Sequence, residues 1–257
     1  MWAIDQSRLD YKASAAPAGG ADRIAVIPLV GYIGAHARDE WVDTGIDAVS
    51  ASFASAVADK SVRAVVMYVD SPGGTVTGVP EFAEQVYAAR SEKKIIAVVD
   101  SLAASAAYWI ASAATQVVMP ASGEVGSIGV FMMHADASKA LENFGVKLTF
   151  IHAGKHKVEG NFAEPLSDES KAYLQERVDT LHGDFIKAVA KHRGVTASVV
   201  REKFGQGRTV NGKDAVALGM ADRIGSFGET MDRLTTQARN AKMRAALRRE
   251  WLEERLG

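Results

Sequence analysis

The chain is expected to be an α/β protein with a mainly parallel sheet of repeated βαβ units flanked by helices. Two observations predict this. Continuous runs of β-branched and apolar residues, such as Val62 to Val69 and Ile95 to Val99, read as strands buried on both faces. Between them lie segments whose apolar residues recur at helical spacing, and that alternation is the mark of parallel strands joined by crossover helices.

The elements follow in order. Residues 1–22 are broken by Asp5, Arg8, Asp10 and Lys12 and end at Pro17, Gly19 and Gly20, so they read as an N-terminal arm without a signal-peptide apolar core. Arg23 to Gly34 is expected as a first strand, with Pro28 placing it at an edge or bulge because proline gives no N–H to a ladder. Ile46, Val49, Phe53 and Val57 mark a helix over 45–58, and the strand from Val62 is expected to stop at Ser71-Pro72-Gly73-Gly74. Val79, Phe82, Val86 and Tyr87 trace a second helix. A small-residue helix is expected over Ala103 to Ala114, with short strands at Gln116 to Met119, Gly129 to Met133 and Lys147 to Ala153, and a helix at Asp136 to Phe144. After Pro165, Ser167 is placed to cap a long helix carrying Leu174, Val178, Leu181, Phe185 and Val189 on one face and ending near Gly194. Residues 208–225 read as a turn, a short helix and a closing strand. Residues 226–257 form a charged helical tail, with seven basic and three acidic residues from Arg233 to Arg255. The expected organisation is thus an arm at 1–22, one domain at 23–225 and the tail.

Composition narrows the chemistry. With 257 residues, 47% of them hydrophobic and 24% charged, the chain can bury a substantial core, and no apolar run is long enough for a bilayer span. Thirty basic against 31 acidic residues give no global field for nucleic acid, leaving only the basic tail as a possible contact. The absence of cysteine removes disulfides, thiolate metal sites and a thiol nucleophile. Neither GxGxxG nor GxxxxGK[ST] occurs, so nucleotide binding is not expected. His152 and His156 share an i, i+4 spacing, but Gly154 between them breaks a helix and no metal site or cofactor is expected.

Two places suit catalysis. DSPGG, Asp70 to Gly74, follows a buried strand with a glycine pair whose N–H groups would suit an oxyanion hole; a tight turn is the plain alternative. Ser105 stands where a strand passes into a helix, at the carboxyl edge of the sheet. There the helix dipole and the N–H of Ala106 favour a developing oxyanion, although a capping serine would occupy the same place. The base for such a serine is left open between an imidazole, His134 being the best placed, and a lysine such as Lys157 in AGKHKVEG.

In this order and spacing, SPGG, AASAAYWIASAA from Ala103, VGSIGV from Val125, GKHK from Gly154 and GRTVNGKDAVALGMAD resemble the signal peptide peptidase A / protease IV family of serine peptidases, related in fold to ClpP and the crotonases. The resemblance covers roughly residues 24–225 and implies a Ser–Lys dyad: Ser105 as nucleophile, Lys157 as general base, Ser127 orienting the lysine, and Gly73, Gly74 and Ala106 forming the oxyanion hole, with Gly74 the first choice. Ala106 and Ala107 stand where the family usually has glycines, which is expected to narrow the cleft and alter preference. A lysine base has to be neutral. Its ordinary pKa of about 10.4 must therefore fall by about two to four units, and burial is expected to supply the shift.

A single copy without a membrane anchor looks most like the capsid-maturation proteases of tailed phages and prophages. That implies an extended polypeptide substrate, capsid, portal or scaffold proteins as partners, a homo-oligomer, and residence in the host cytoplasm or procapsid interior. The alternatives are a cellular soluble peptidase of the same family, a crotonase-like acyl-CoA enzyme stabilising an enolate, and a non-catalytic scaffold module.

Overall fold

A computed structural model describes residues 23–36 and 41–256; the arm expected at 1–22 lies outside the described residues. The described residues divide into two compact units, those up to 128 with those from 186 onward, and residues 129–185.

The first unit holds the sheet. Its strands are β1 (Arg23–Gly34), β2 (Thr44–Gly45), β3 (Val62–Gly74), β4 (Lys94–Ala104), β5 (Gln116–Met119), β6 (Glu124–Gly126), β7 (Thr209–Asn211) and β8 (Arg223–Ile224). The order is β2-β1-β3-β4-β5-β8, with β6 continuing beside the end of β4. All pairs are parallel except β6 with β7. The expected α/β class with a mainly parallel sheet is therefore the observed one. β2 pairs only with Ile33 and Gly34, so the stretch of β1 that carries the exposed Pro28 has no described strand on its outer side, where a missing N–H costs nothing.

Alternate residues of the central strands serve the two faces. Ala64, Val66, Ile96, Val98 and Val118 pack with Leu234, joined by Phe227 and Met231, all three from helix α8 (Phe227–Leu256). The start of the expected tail is thus part of the core. On the other side lie α1 (Ile46–Ala58), α2 (Val79–Ala88) and α3 (Ala106–Ser112), with Phe53 of α1 and Phe82 of α2 meeting edge to face at 5.6 Å. Helix α3 is buried on every side, as its Ala-rich, apolar composition demands.

Two expectations about β3 and β4 need correction. SPGG does not end the strand, because β3 runs on to Gly74 and keeps its pairing with β1 through Tyr32↔Gly73 and Ile33↔Gly74 after a register shift. A Cβ on Gly74 would lie 1.8 Å from the Ile33 carbonyl oxygen, so glycine here permits strand contact instead of breaking it. Ala103 and Ala104 likewise belong to β4, and the helix begins only at Ala106.

The second unit carries α4 (Ser138–Asn143) and the first part of α5 (Asp168–Arg193), whose residues from Ile186 onward belong to the first unit. Ser167 caps α5 as expected, its Oγ accepting from the Ser170 N–H at 3.1 Å, and Gly194 follows the helix at φ 66°. The strands expected at Gly129 to Met133 and Lys147 to Ala153 do not form. Their β-type residues are in place, but a strand also needs a neighbour for its N–H and C=O groups, and no described strand of the unit supplies one. The first unit also contains α6 (Ala197–Lys203), capped by Thr196, and α7 (Gly212–Leu218), capped by Asn211.

Candidate active site

Ser105 sits between β4 and α3 with φ 53° and ψ −124°, a conformation that costs an L-residue of order 1–3 kcal/mol. It is the N-cap of α3, but its side chain makes no capping hydrogen bond. The hydroxyl is therefore not consumed by the task that a serine at this position usually performs. The backbone is pinned on both sides: the Ser105 N–H donates to the Gly126 carbonyl at 2.8 Å, and its own carbonyl accepts from the Trp109 N–H at 3.0 Å. Ala106 opens the helix, and the first N–H groups of a helix have no partner within it.

Gly73 lies against this turn. At φ 97°, its missing side chain leaves room that a Cβ would fill at 2.8 Å from Ser105 Cβ and 3.0 Å from Ala106 N. Gly73, Ser105 and Ala106 are thus brought together, whereas Gly74 is turned toward β1. The Gly73 N–H donates to Ser71 Oγ at 3.1 Å, and Ser71 Oγ donates to the Gly31 carbonyl at 2.6 Å. Ser127 adjoins Gly126 and also has a positive φ, 52°, with its N–H donating to the Arg208 carbonyl at 2.9 Å. Ala106 and Ala107 are 4% and 0% exposed, so the methyl of Ala107 fills the core and does not line an open cleft.

Helix α3 is held at two further points. Tyr108, wholly buried, donates its hydroxyl hydrogen to the Met220 carbonyl at 2.9 Å, and burial pushes its phenol well up from the ordinary value. Ser112 Oγ donates to the Trp109 carbonyl and lies 2.9 Å from His192 Nδ1, which must then carry the hydrogen. Burial depresses His192 to about 4 against a smaller upward pull from Glu84, with Lys191, Arg90 and Arg193 adding lesser downward contributions. The native state refuses a proton that the unfolded chain accepts below its ordinary value near 6.5. This group's stabilising share is therefore full above that value and is lost as pH falls toward 4. Between pH 6.5 and 5, above most carboxylate titration, the loss is expected to be about 2 kcal/mol. Urea midpoints across that window measure it, and a His192→Gln variant with the same slope as the native chain would refute the assignment.

The other predicted residues lie in the second unit. His134 Nε2 faces the Asn161 carbonyl at 2.9 Å, which fixes that nitrogen as a donor and removes it as a base. His152 contacts the Gly154 carbonyl and His156 pairs with Glu159, so these imidazoles are engaged separately. The two lysines of GKHK differ. Lys155 binds Glu169 at 2.7 Å, and that hydrogen bond and charge raise its pKa and hold it protonated. Lys157 is exposed, in contrast to the burial expected for a lysine base, and its ammonium has no hydrogen-bond or ion-pair partner among the described residues.

The strain at Ser105 and Ser127 had no signal in the sequence, since serine gives no hint of a positive φ. Thr196 and β6 do carry one, a capping residue and a Val-centred triplet.

A family model described as peptidase family S49 matches residues 87–241, and a Clp protease model matches residues 38–125. The Head-tail preconnector protein GP5 of Enterobacteria phage P21 is 32% identical over 225 residues, 86% of this chain and 44% of that protein. The Capsid assembly protease C of Escherichia phage lambda is 31% identical over 204 residues, 78% of this chain and 46% of that protein. The chain thus spans under half the length of both. Among solved structures, a 1510-N membrane-bound stomatin-specific protease aligns with a TM-score of 0.53 at 13% identity, covering 82% of this chain and 84% of the other, a likeness of fold alone. No described helix is long and apolar enough to cross a membrane.

Proposed function

The chain belongs to peptidase family S49, and on that footing we propose that it is a serine endopeptidase working through an acyl-enzyme, with Ser105 as nucleophile and Lys157 as general base. The observation that carries the reading is the uncapped Ser105 at φ 53°, backed by the cleared space at Gly73. Lys157 removes the hydroxyl proton as the oxygen attacks the scissile carbonyl. It then returns the proton to the leaving amine, and water repeats the sequence on the acyl group. The Ala106 N–H and one N–H of the Gly73-Gly74 pair stabilise the oxyanion, and Ser127 orients the lysine. The substrate is an extended polypeptide adding main-chain hydrogen bonds beside the cleft.

The same reading places the substrates among capsid, portal or scaffold proteins, and the enzyme in the host cytoplasm or procapsid interior. The names of the two phage relatives support it. A cellular peptidase of the family and a crotonase-like acyl-CoA enzyme are the rivals. A fluorophosphonate probe separates the chemistry: an adduct on Ser105 is expected by mass spectrometry, with none in Ser105→Ala. An unlabelled native serine in protein that retains cleavage would defeat the nucleophile assignment.

The proposal includes a homo-oligomer. The second unit exposes Phe131 and Met133 at 86%, Phe144 at 84% and Ile151 at 98%, more apolar surface than scattered single residues explain. Sedimentation should show an assembly of several copies that Ile151→Asp combined with Phe131→Asp reduces in size. A native chain that sediments as a monomer at micromolar concentration would exclude it.

A further inference from the structure

The strand ends opposite the Ser105 edge hold a concentration of positive charge that the peptidase chemistry does not use. Lys94 lies opposite Ala64, Gln116 opposite Ile96 and Arg223 opposite Val118. Residues paired in this way point to one face of a sheet, here the face that packs on Leu234 of α8. Arg63 reaches the same place through the register shift at the start of β3, donating from Nη2 to the Leu234 carbonyl. Arg233 of α8 comes from the other side, its Nη2 donating to Gln116 Oε1 at 2.7 Å. Arg223 Nη2 donates to Thr230 Oγ1 at 2.8 Å.

All four cations are partly buried. The Nε atoms of Arg63, Arg223 and Arg233 are shielded from solvent and have no hydrogen-bond partner among the described residues. Burial and then the charges of Arg233, Arg63 and Arg223 lower the pKa of Lys94, the sign of cations held together without compensation. Glu229 opposes the effect at Arg223, whereas the charges that act on Lys94 are those of the three arginines. Three guanidiniums and an ammonium thus meet on one face of the sheet with three Nε donors unpartnered, which suits an anionic ligand. Guanidinium donors match the tetrahedral face of a phosphate better than they match chloride.

We propose that Arg63, Lys94, Arg223 and Arg233 form a binding site for a polyvalent oxyanion of the phosphate class beneath helix α8. The anion draws the four side chains together and fastens α8 to the sheet. The site is remote from the cleavage chemistry: from Lys94 to Ala104 along β4 is about 30 Å at the usual rise per residue. Occupation therefore stabilises the fold and leaves the peptide cleft open. A free phosphate and a phosphodiester of a nucleic-acid backbone offer the same chemistry.

The test is thermal melting of the full chain in chloride buffer, titrated with sodium phosphate or with sodium chloride at matched ionic strength. Phosphate is expected to raise Tm in proportion to ln(1 + [phosphate]/Kd), by about 3 °C at ten times Kd, and chloride is not. In Lys94→Met the phosphate response should weaken at least about tenfold in Kd, while peptide cleavage stays at the native rate. An equal rise with chloride, or an unchanged phosphate response in both Lys94→Met and Arg233→Gln, would overturn the site. If the variants fail to fold, equilibrium dialysis of the native chain against labelled phosphate decides: one anion bound per chain supports the proposal, none defeats it. Competition by a short single-stranded oligonucleotide would identify the phosphodiester as the source, and phosphate binding indifferent to it would identify the free anion.

Discussion

Lys157→Met is expected to lower the rate of peptide cleavage by at least about 10³-fold while leaving the melting temperature within roughly one degree. The two halves of this result have separate causes. A general base is needed both to activate the hydroxyl and to deliver a proton to the leaving amine, so its removal touches acylation twice. The fold, by contrast, has little invested in the side chain, since Lys157 is exposed and its ammonium bonds to no described residue. Lys157→Arg should fail equally, because a guanidinium keeps its proton throughout the working range. Lys155→Met is the control. Its ammonium is bound to Glu169, so this variant is expected to lose a surface ion pair and keep cleavage within about threefold. Full activity in Lys157→Met, measured on purified protein with a fluorogenic peptide, would remove the dyad. Loss in Lys155→Met with retention in Lys157→Met would transfer the role to the neighbouring lysine. Under the proposed assembly, desolvation of the amine comes from a neighbouring copy or from the bound substrate, since the chain itself leaves Lys157 exposed.

What the sequence made legible was set by how local the governing physics is. The strands from Val62 and Ile95 announce themselves because a parallel sheet covered on both faces selects continuous apolar runs. Ser167 and Gly194 mark the ends of α5 because capping is settled within one turn of helix. The misreadings occur where the outcome depends on a distant partner. Gly73-Gly74 has the composition of a turn, yet β1 passes so close that only glycine admits it, and the strand continues. Lys147 to Ala153 has the composition of a strand, but no described strand is there to pair with it. Leu234 looks like part of an appended helix and in fact completes the core between Ile96 and Val118. At the candidate site, the motif order singled out Ser105 and Ser127 as candidates, while their positive φ angles belong to the tertiary structure, in which the Ser105 N–H bonds to Gly126.

Gly73→Ala is expected to reduce cleavage by about 10²-fold or more, through displacement of Ser105, the proposed nucleophile, instead of its removal. The added methyl would lie 2.7 Å from the Ala104 carbonyl oxygen, 2.8 Å from Ser105 Cβ and 3.0 Å from Ala106 N. Two of these are backbone atoms that cannot rotate away, so the strain-bearing turn itself must shift. Alanine is also disfavoured at φ 97°, which adds about 1–3 kcal/mol of destabilisation. Gly74→Ala provides the contrast. Its methyl would collide with the Ile33 carbonyl and separate β1 from β3, so it should cost more stability than Gly73→Ala. The decisive comparison is kcat against melting temperature for the two variants under conditions where both are folded. Gly73→Ala should lose turnover out of proportion to its loss of stability, with slowed fluorophosphonate labelling of Ser105. If it labels and cleaves at the native rate, the close approach of Gly73 to Ser105 is packing alone and the oxyanion hole must be sought elsewhere.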